Sequence, residues 1–99
     1  MNTLTLEHKC LATGLSFSED SFTVHLNDGR HIVIPLAWYP RLLAATKHER
    51  ENHEFIGGGE GIHWPKLDED ILVEGLLSGR PSQESQGSLK KWLQKRRKK

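Results

Sequence analysis

Ser21 to Leu26 alternates polar and apolar residues, and an apolar run, Ile32-Val33-Ile34, lies on the other side of Asn27-Asp28-Gly29, the pattern of an antiparallel hairpin. Loop length decides the register. With Asn27, Asp28 and Gly29 as a three-residue loop, Val24 faces Ile32 and Phe22 faces Ile34; a two-residue loop sets Leu26 against His31 and forfeits both pairs. Cross-strand apolar pairs on one buried face favour the first arrangement. It leaves His25 and His31 opposite each other on the solvent side, and Pro35 ends the strand. Ala12 to Phe17 reads as a preceding strand, separated by the polar turn Ser18-Glu19-Asp20.

After the hairpin, Pro40 suits the first position of a helix running to about Glu51, since its missing N–H costs nothing there. A short strand is expected at His53–Ile56, followed by a tight turn through the glycine run Gly57 to Gly61. A second helix is predicted from Asp68 as N-cap, with Glu69 and Asp70 in its first turn, Leu67 and Leu72 as a staple, and Gly79-Arg80-Pro81 as its stop. Ser78 to Ser88 has the composition of a flexible linker, after which Ser88 would cap a last helix carrying Leu89, Trp92 and Leu93 on one side. These elements define an α+β chain, a small hairpin-rich antiparallel sheet packed with two short helices, plus a C-terminal basic helix or tail. The expected units are a compact domain at 1–79, a linker at 80–88 and a basic amphipathic tail at 89–99. The first should fold without the other two.

Ninety-nine residues allow one domain with a modest core. At 35% hydrophobic and 27% charged, the chain is neither membrane-spanning nor disordered by composition. Its first residues lack the basic and apolar regions of a signal peptide, and one cysteine, Cys10, forms no internal disulfide. A cytoplasmic location is expected. The net charge of +1 conceals a division: residues 1–79 hold six basic and twelve acidic side chains, a balance of −6, whereas residues 80–99 hold eight basic and Glu84 alone, a balance of +7.

Several motifs bear on chemistry. Gly57 to Gly61 is no phosphate loop, because Glu60 interrupts it and no Lys-Ser/Thr follows. No serine stands in a nucleophile elbow, and Cys10 has only His8 as a close histidine. His63 with Asp68 and Asp70 is the best metal-dependent alternative, although the two acids more simply serve a helix N-terminus. Trp38, Tyr39 and Trp64 are core candidates first and protein-partner anchors second. The sharpest signal is the tail. Lys90, Lys91, Lys95, Arg96, Arg97, Lys98 and Lys99, with Trp92 among them, suit phosphate contacts and a stacking ring.

The run Pro35-Leu36-Ala37-Trp38-Tyr39-Pro40-Arg41-Leu42-Leu43, then Gly-Ile-His-Trp-Pro at 61–65, then Leu67-Asp68-Glu69-Asp70-Ile71 through Gly79, resembles the small bacterial domain-of-unknown-function 2442 family over residues 10 to 79. The resemblance implies a compact α+β domain of bacterial or phage origin. It also implies a partner protein encoded in the same operon, hence an antitoxin-like role, and some members are joined to a helix-turn-helix domain. It carries over no catalytic residues. After Gly79 this chain has the basic tail instead. The expectation is a non-enzymatic binding module without a cofactor. It would dock a toxin-like protein or a larger defence-type complex and touch nucleic acid through its tail, with no membrane or small-molecule partner.

Overall fold

The computed structural model describes residues 9–97. Two antiparallel three-stranded meanders follow one another along the chain. The first comprises β1 (Ala12–Phe17), β2 (Ser21–Leu26) and β3 (His31–Pro35), and the second β4 (Glu54–Ile56), β5 (Gly61–Trp64) and β6 (Glu69–Leu72). Between them lie a 3₁₀ turn at Leu36–Trp38 and two short helices, α1 (Pro40–Ala44) and α2 (Lys47–Glu51). Helix α3 (Val73–Leu77) follows β6, and α4 (Gln86–Arg97) ends the described chain. The class is α+β, as expected, with a second sheet where one was foreseen. No helix among the described residues is long and apolar enough to cross a membrane.

The central hairpin has the register expected from its apolar pairs: Val24 faces Ile32, Phe22 faces Ile34, and the rings of His25 and His31 lie 4.4 Å apart. On β1 the register shifts between Ala12 and Gly14. That bulge lets Ala12 face Leu26 while Leu15 faces Val24 and Phe17 faces Phe22. An unbroken period of two would have turned Ala12 away from the others. Phe22, Val24, Leu26 and Ile34 join Leu36, Tyr39, Leu42, Ile62, Trp64, Leu67, Ile71, Val73 and Leu76 in one core between the sheets and helices.

The glycine run is the joint between the two sheets. Gly57, Gly58 and Gly59 all have positive φ, and the turn offers its carbonyls to both halves. Ala12 N donates to Gly59 O at 2.8 Å, and Val73 N donates to Glu60 O at 2.9 Å.

Expectations about the helices need correction. The helix from Pro40 does not run to Glu51; Ala45 and Thr46 are extended, and α2 starts afresh. The cause is a capping box, in which Thr46 Oγ1 accepts from Glu49 N while Glu49 Oε1 accepts from Thr46 N. Arg50 folds back to donate to the carbonyls of Leu42 and Leu43, satisfying the end of α1. The helix predicted from Asp68 starts five residues later, at Val73: Asp68 sits in a turn at φ +53, and residues 69–72 pair with β5 as a strand. Asp tolerates the left-handed region better than most residues, so the same side chain serves a turn as readily as a cap. The expected stop at Gly79 stands, for its N–H donates to Leu76 O and that of Arg80 to Gly75 O in a Schellman arrangement.

Residues 80–88 run along the body with specific anchors. Tyr39 OH donates to Arg80 O at 2.9 Å, and Ser82 N donates to Trp38 O at 3.0 Å. Helix α4 begins at Gln86, two residues before the expected cap, with Ser85 Oγ accepting from Ser88 N.

Candidate nucleic-acid interface

Helix α4 is attached to the body by one face. Trp92 packs against the core, with the guanidinium carbons of Arg41 and Arg96 at 5.1 and 4.7 Å from its ring centre. Arg96, one turn further on, makes a two-pronged contact with Glu49, its Nη1 and Nη2 donating at 2.9 and 2.8 Å. That contact holds the Glu49 carboxyl down at about 2, through the Arg96 hydrogen bonds first. At the other end, Arg41 Nε and Nη2 grip the Glu84 carboxylate at 2.9 and 2.5 Å, and Ser88 Oγ donates to the same carboxylate.

These attachments determine what the rest of the helix presents. At 3.6 residues per turn, positions 90, 91, 95 and 97 share an arc of roughly 160° on the side away from Trp92 and Arg96. Lys90, Lys91, Lys95 and Arg97 are all exposed there. Of the residues expected to meet nucleic acid, Trp92 and Arg96 are therefore turned to the body, four basic side chains face solvent, and Lys98 and Lys99 lie outside the described residues.

Beside residues 80–84, ahead of α4, is a cavity of about 530 Å³ whose lining includes Tyr39, Arg41, Asp68, Glu69 and Glu84. Glu69 pairs with Trp64 across β5–β6, so its side chain points inward from the strand. Burial pushes its carboxyl up to about 7, opposed by Arg41 and reinforced by the negative charges of Glu84, Asp70 and Asp68. Tyr39 is raised by burial and by Glu69 in turn. Folded protein thus holds the Glu69 proton more tightly than unfolded chain, where the ordinary value is 4.5. Its contribution is fully present below about pH 4.5 and is lost as pH rises through about 7. Glu69→Gln is expected to flatten that slope in urea melts between those pH values and to stabilise the protein near pH 8. The gain should be about 1–2 kcal/mol, less than the full shift because the site is partly open to water. An unchanged slope would place the titration elsewhere.

The aromatic trio divides. Trp64 is fully buried and its Nε1 donates to Arg50 O at 2.9 Å; Tyr39 is buried as well. A ring without accessible surface anchors no partner, so of the three expected anchors only Trp38 is exposed. For the metal alternative, His63 Nδ1 and Asp70 Oδ1 are hydrogen-bonded partners, whereas the Asp68 carboxylate is set 4.0 Å from Arg41. Among the described residues no group of three or more His, Cys, Asp or Glu is arranged to hold a metal. Sequence reading missed the Arg41–Glu84–Glu69 cluster. Arg41 lies 43 residues from Glu84, and only the fold joins them.

The chain belongs to the family described as protein of unknown function (DUF2442), whose model matches residues 12–82. Two solved structures share the fold. A crystal structure of a protein of unknown function from Rhodospirillum rubrum is 24% identical, with a TM-score of 0.68 over 78% of this chain and 95% of that one. A solution structure of an uncharacterized protein from Chromobacterium violaceum is 23% identical, with a TM-score of 0.64 over 81% of this chain and 74% of that one. No curated protein matches the chain. The family match ends at residue 82, before α4 begins.

Proposed function

We propose that the chain is a non-enzymatic binding module. In this reading α4 sets its basic face against nucleic-acid phosphates while the acidic body docks a protein. Such a module would serve as an antitoxin-like regulator or as a small subunit of a bacterial nucleoprotein assembly of the defence type. One observation carries the nucleic-acid half. Lys90, Lys91, Lys95 and Arg97 stand exposed on one arc while Trp92 and Arg96 tie the opposite side to the body. A fixed row of cations loses less freedom on meeting a phosphate backbone than a free tail does.

Trp92 then acts as a positioning residue, since its ring already lies against two guanidinium groups. Contacts confined to phosphates carry little sequence preference. The test replaces Lys90, Lys91, Lys95 and Arg97 together by Gln and titrates both proteins with duplex and single-stranded oligonucleotides. The native chain is expected to bind both with similar affinity, and the neutralised variant at least a hundredfold more weakly. Equal binding by the two proteins would remove α4 from the interface.

A further inference from the structure

We propose that the outer face of the second sheet is a docking surface for α4 of a second copy of this chain, joined head to tail. It rests on the protein-docking half of the function above and names the partner. Ile56, Gly61 and Leu72 form one row across β4, β5 and β6. Gly61 lets its neighbours meet: a Cβ placed there would lie 3.0 Å from Ile56 Cγ1 and 3.3 Å from Leu72 Cδ2, so the two side chains close over the glycine into one apolar strip. Leu72 continues into a groove of about 390 Å³ lined by Leu77, Val73 and Cys10. Leu72 is 61% exposed, and Ile56 and Leu77 are exposed beside it.

The surround of this apolar patch is acidic. Glu60 and Glu74 line the groove, and Glu54 and Asp70 flank His63 in the next row of the same face. Lys9, bound to Glu60, and His63, bound to Asp70, are the basic side chains on this face among the described residues. An apolar strip with a negative rim fits a short apolar pair carried between cations.

Helix α4 offers that complement. Leu89 and Leu93 are one turn apart and line a shallow hollow of about 360 Å³ with Lys90. They lie between the arc turned to the body and the basic arc, so they can engage a neighbour while Trp92 and Arg96 stay in place. The same attachments hold α4 at Arg41 and Glu49, so the helix that fills the patch comes from another copy. Donor and acceptor surfaces differ, which makes the contact heterologous. A contact of so few side chains belongs with weak, transient encounters and not with stable complexes, so association is to be sought at roughly 10–100 μM protein.

Sedimentation velocity across that concentration range tests the proposal on the full chain. The average mass of the native protein should rise with concentration, and less so at higher salt. Leu72→Asp or Leu93→Asp alone should leave a monomer, whereas an equal mixture of the two should form a one-to-one dimer and nothing larger. Each variant keeps one intact surface. If either melts early, Glu74→Lys and Lys90→Glu give the same crossed design by charge, each weakening association at least tenfold alone. A monomeric native chain at every concentration would overturn the proposal. So would native-like association by Leu93→Asp, which would mean that the patch pairs with itself. Association only after removal of residues 1–8 would identify that segment as the occupant instead. Leu72 lies off the basic arc, so Leu72→Asp should still bind oligonucleotides as the native chain does, and failure of either reading is seen separately.

Discussion

Gly59→Ala is expected to cost about 3 kcal/mol or more, enough to remove much of the stability of a domain this small. Gly59 has φ +113, and a Cβ there would fall 2.5 Å from Ala12 O and 3.0 Å from Ala12 N. Both obstacles are backbone, so no rotamer change relieves them. The first strand would have to withdraw, breaking the Ala12 N to Gly59 O hydrogen bond that joins the sheets. Gly58→Ala is the control: φ is +70 but nothing lies within 4 Å, leaving only the ~1 kcal/mol of a left-handed backbone. Urea midpoints measure both, and equal losses would mean that the glycine turn is not a joint.

Arg41→Ala should be comparably damaging, at about 3 kcal/mol. Arg41 is 13% exposed and Glu84 12%, and the same guanidinium donates to the carbonyls of Leu67 and Asp68. Removing it leaves Glu84 unpaired beside Glu69, with two carbonyls unsatisfied. The neighbouring carboxylates make the loss larger above about pH 7, where Glu69 is ionised. Adding Glu84→Ala should recover part of the loss, because the stranded charge then disappears. A double change as costly as the sum of the two single ones would show that the pair is not coupled.

What was legible in the chain was local. Asn27-Asp28-Gly29 announced the loop, and Val24–Ile32 with Phe22–Ile34 announced the register, because alternation and turn chemistry agreed over a few residues. The break after Ala44 was also written locally, in Thr46-Lys47-His48-Glu49, but the good helix formers around it outweighed that signal. At Asp68 the signals conflicted. Asp followed by Glu and Asp reads as a helix start, while the apolar run Ile71-Leu72-Val73, with two β-branched residues, suits a strand, and pairing of residues 69–72 with β5 decided the matter. Neither the union of the sheets through Gly59 nor the seating of Trp92 and Arg96 has a local signature. Their partners, Ala12, Arg41 and Glu49, are more than 40 residues distant. The basic character of the tail was plain; which of its charges face solvent was not.

The salt dependence of duplex binding bears most directly on α4 as a phosphate-binding face. Each phosphate neutralised by Lys or Arg releases counterions, so affinity must fall along a log-log line whose slope counts the contacts. With Lys90, Lys91, Lys95 and Arg97 outward, and the last two lysines beyond them, the slope should be about −3 to −5. The variant with those four residues replaced by Gln should lose most of that dependence together with its affinity. A native slope near zero, or one unchanged by the four substitutions, would contradict the assignment of this face to nucleic acid.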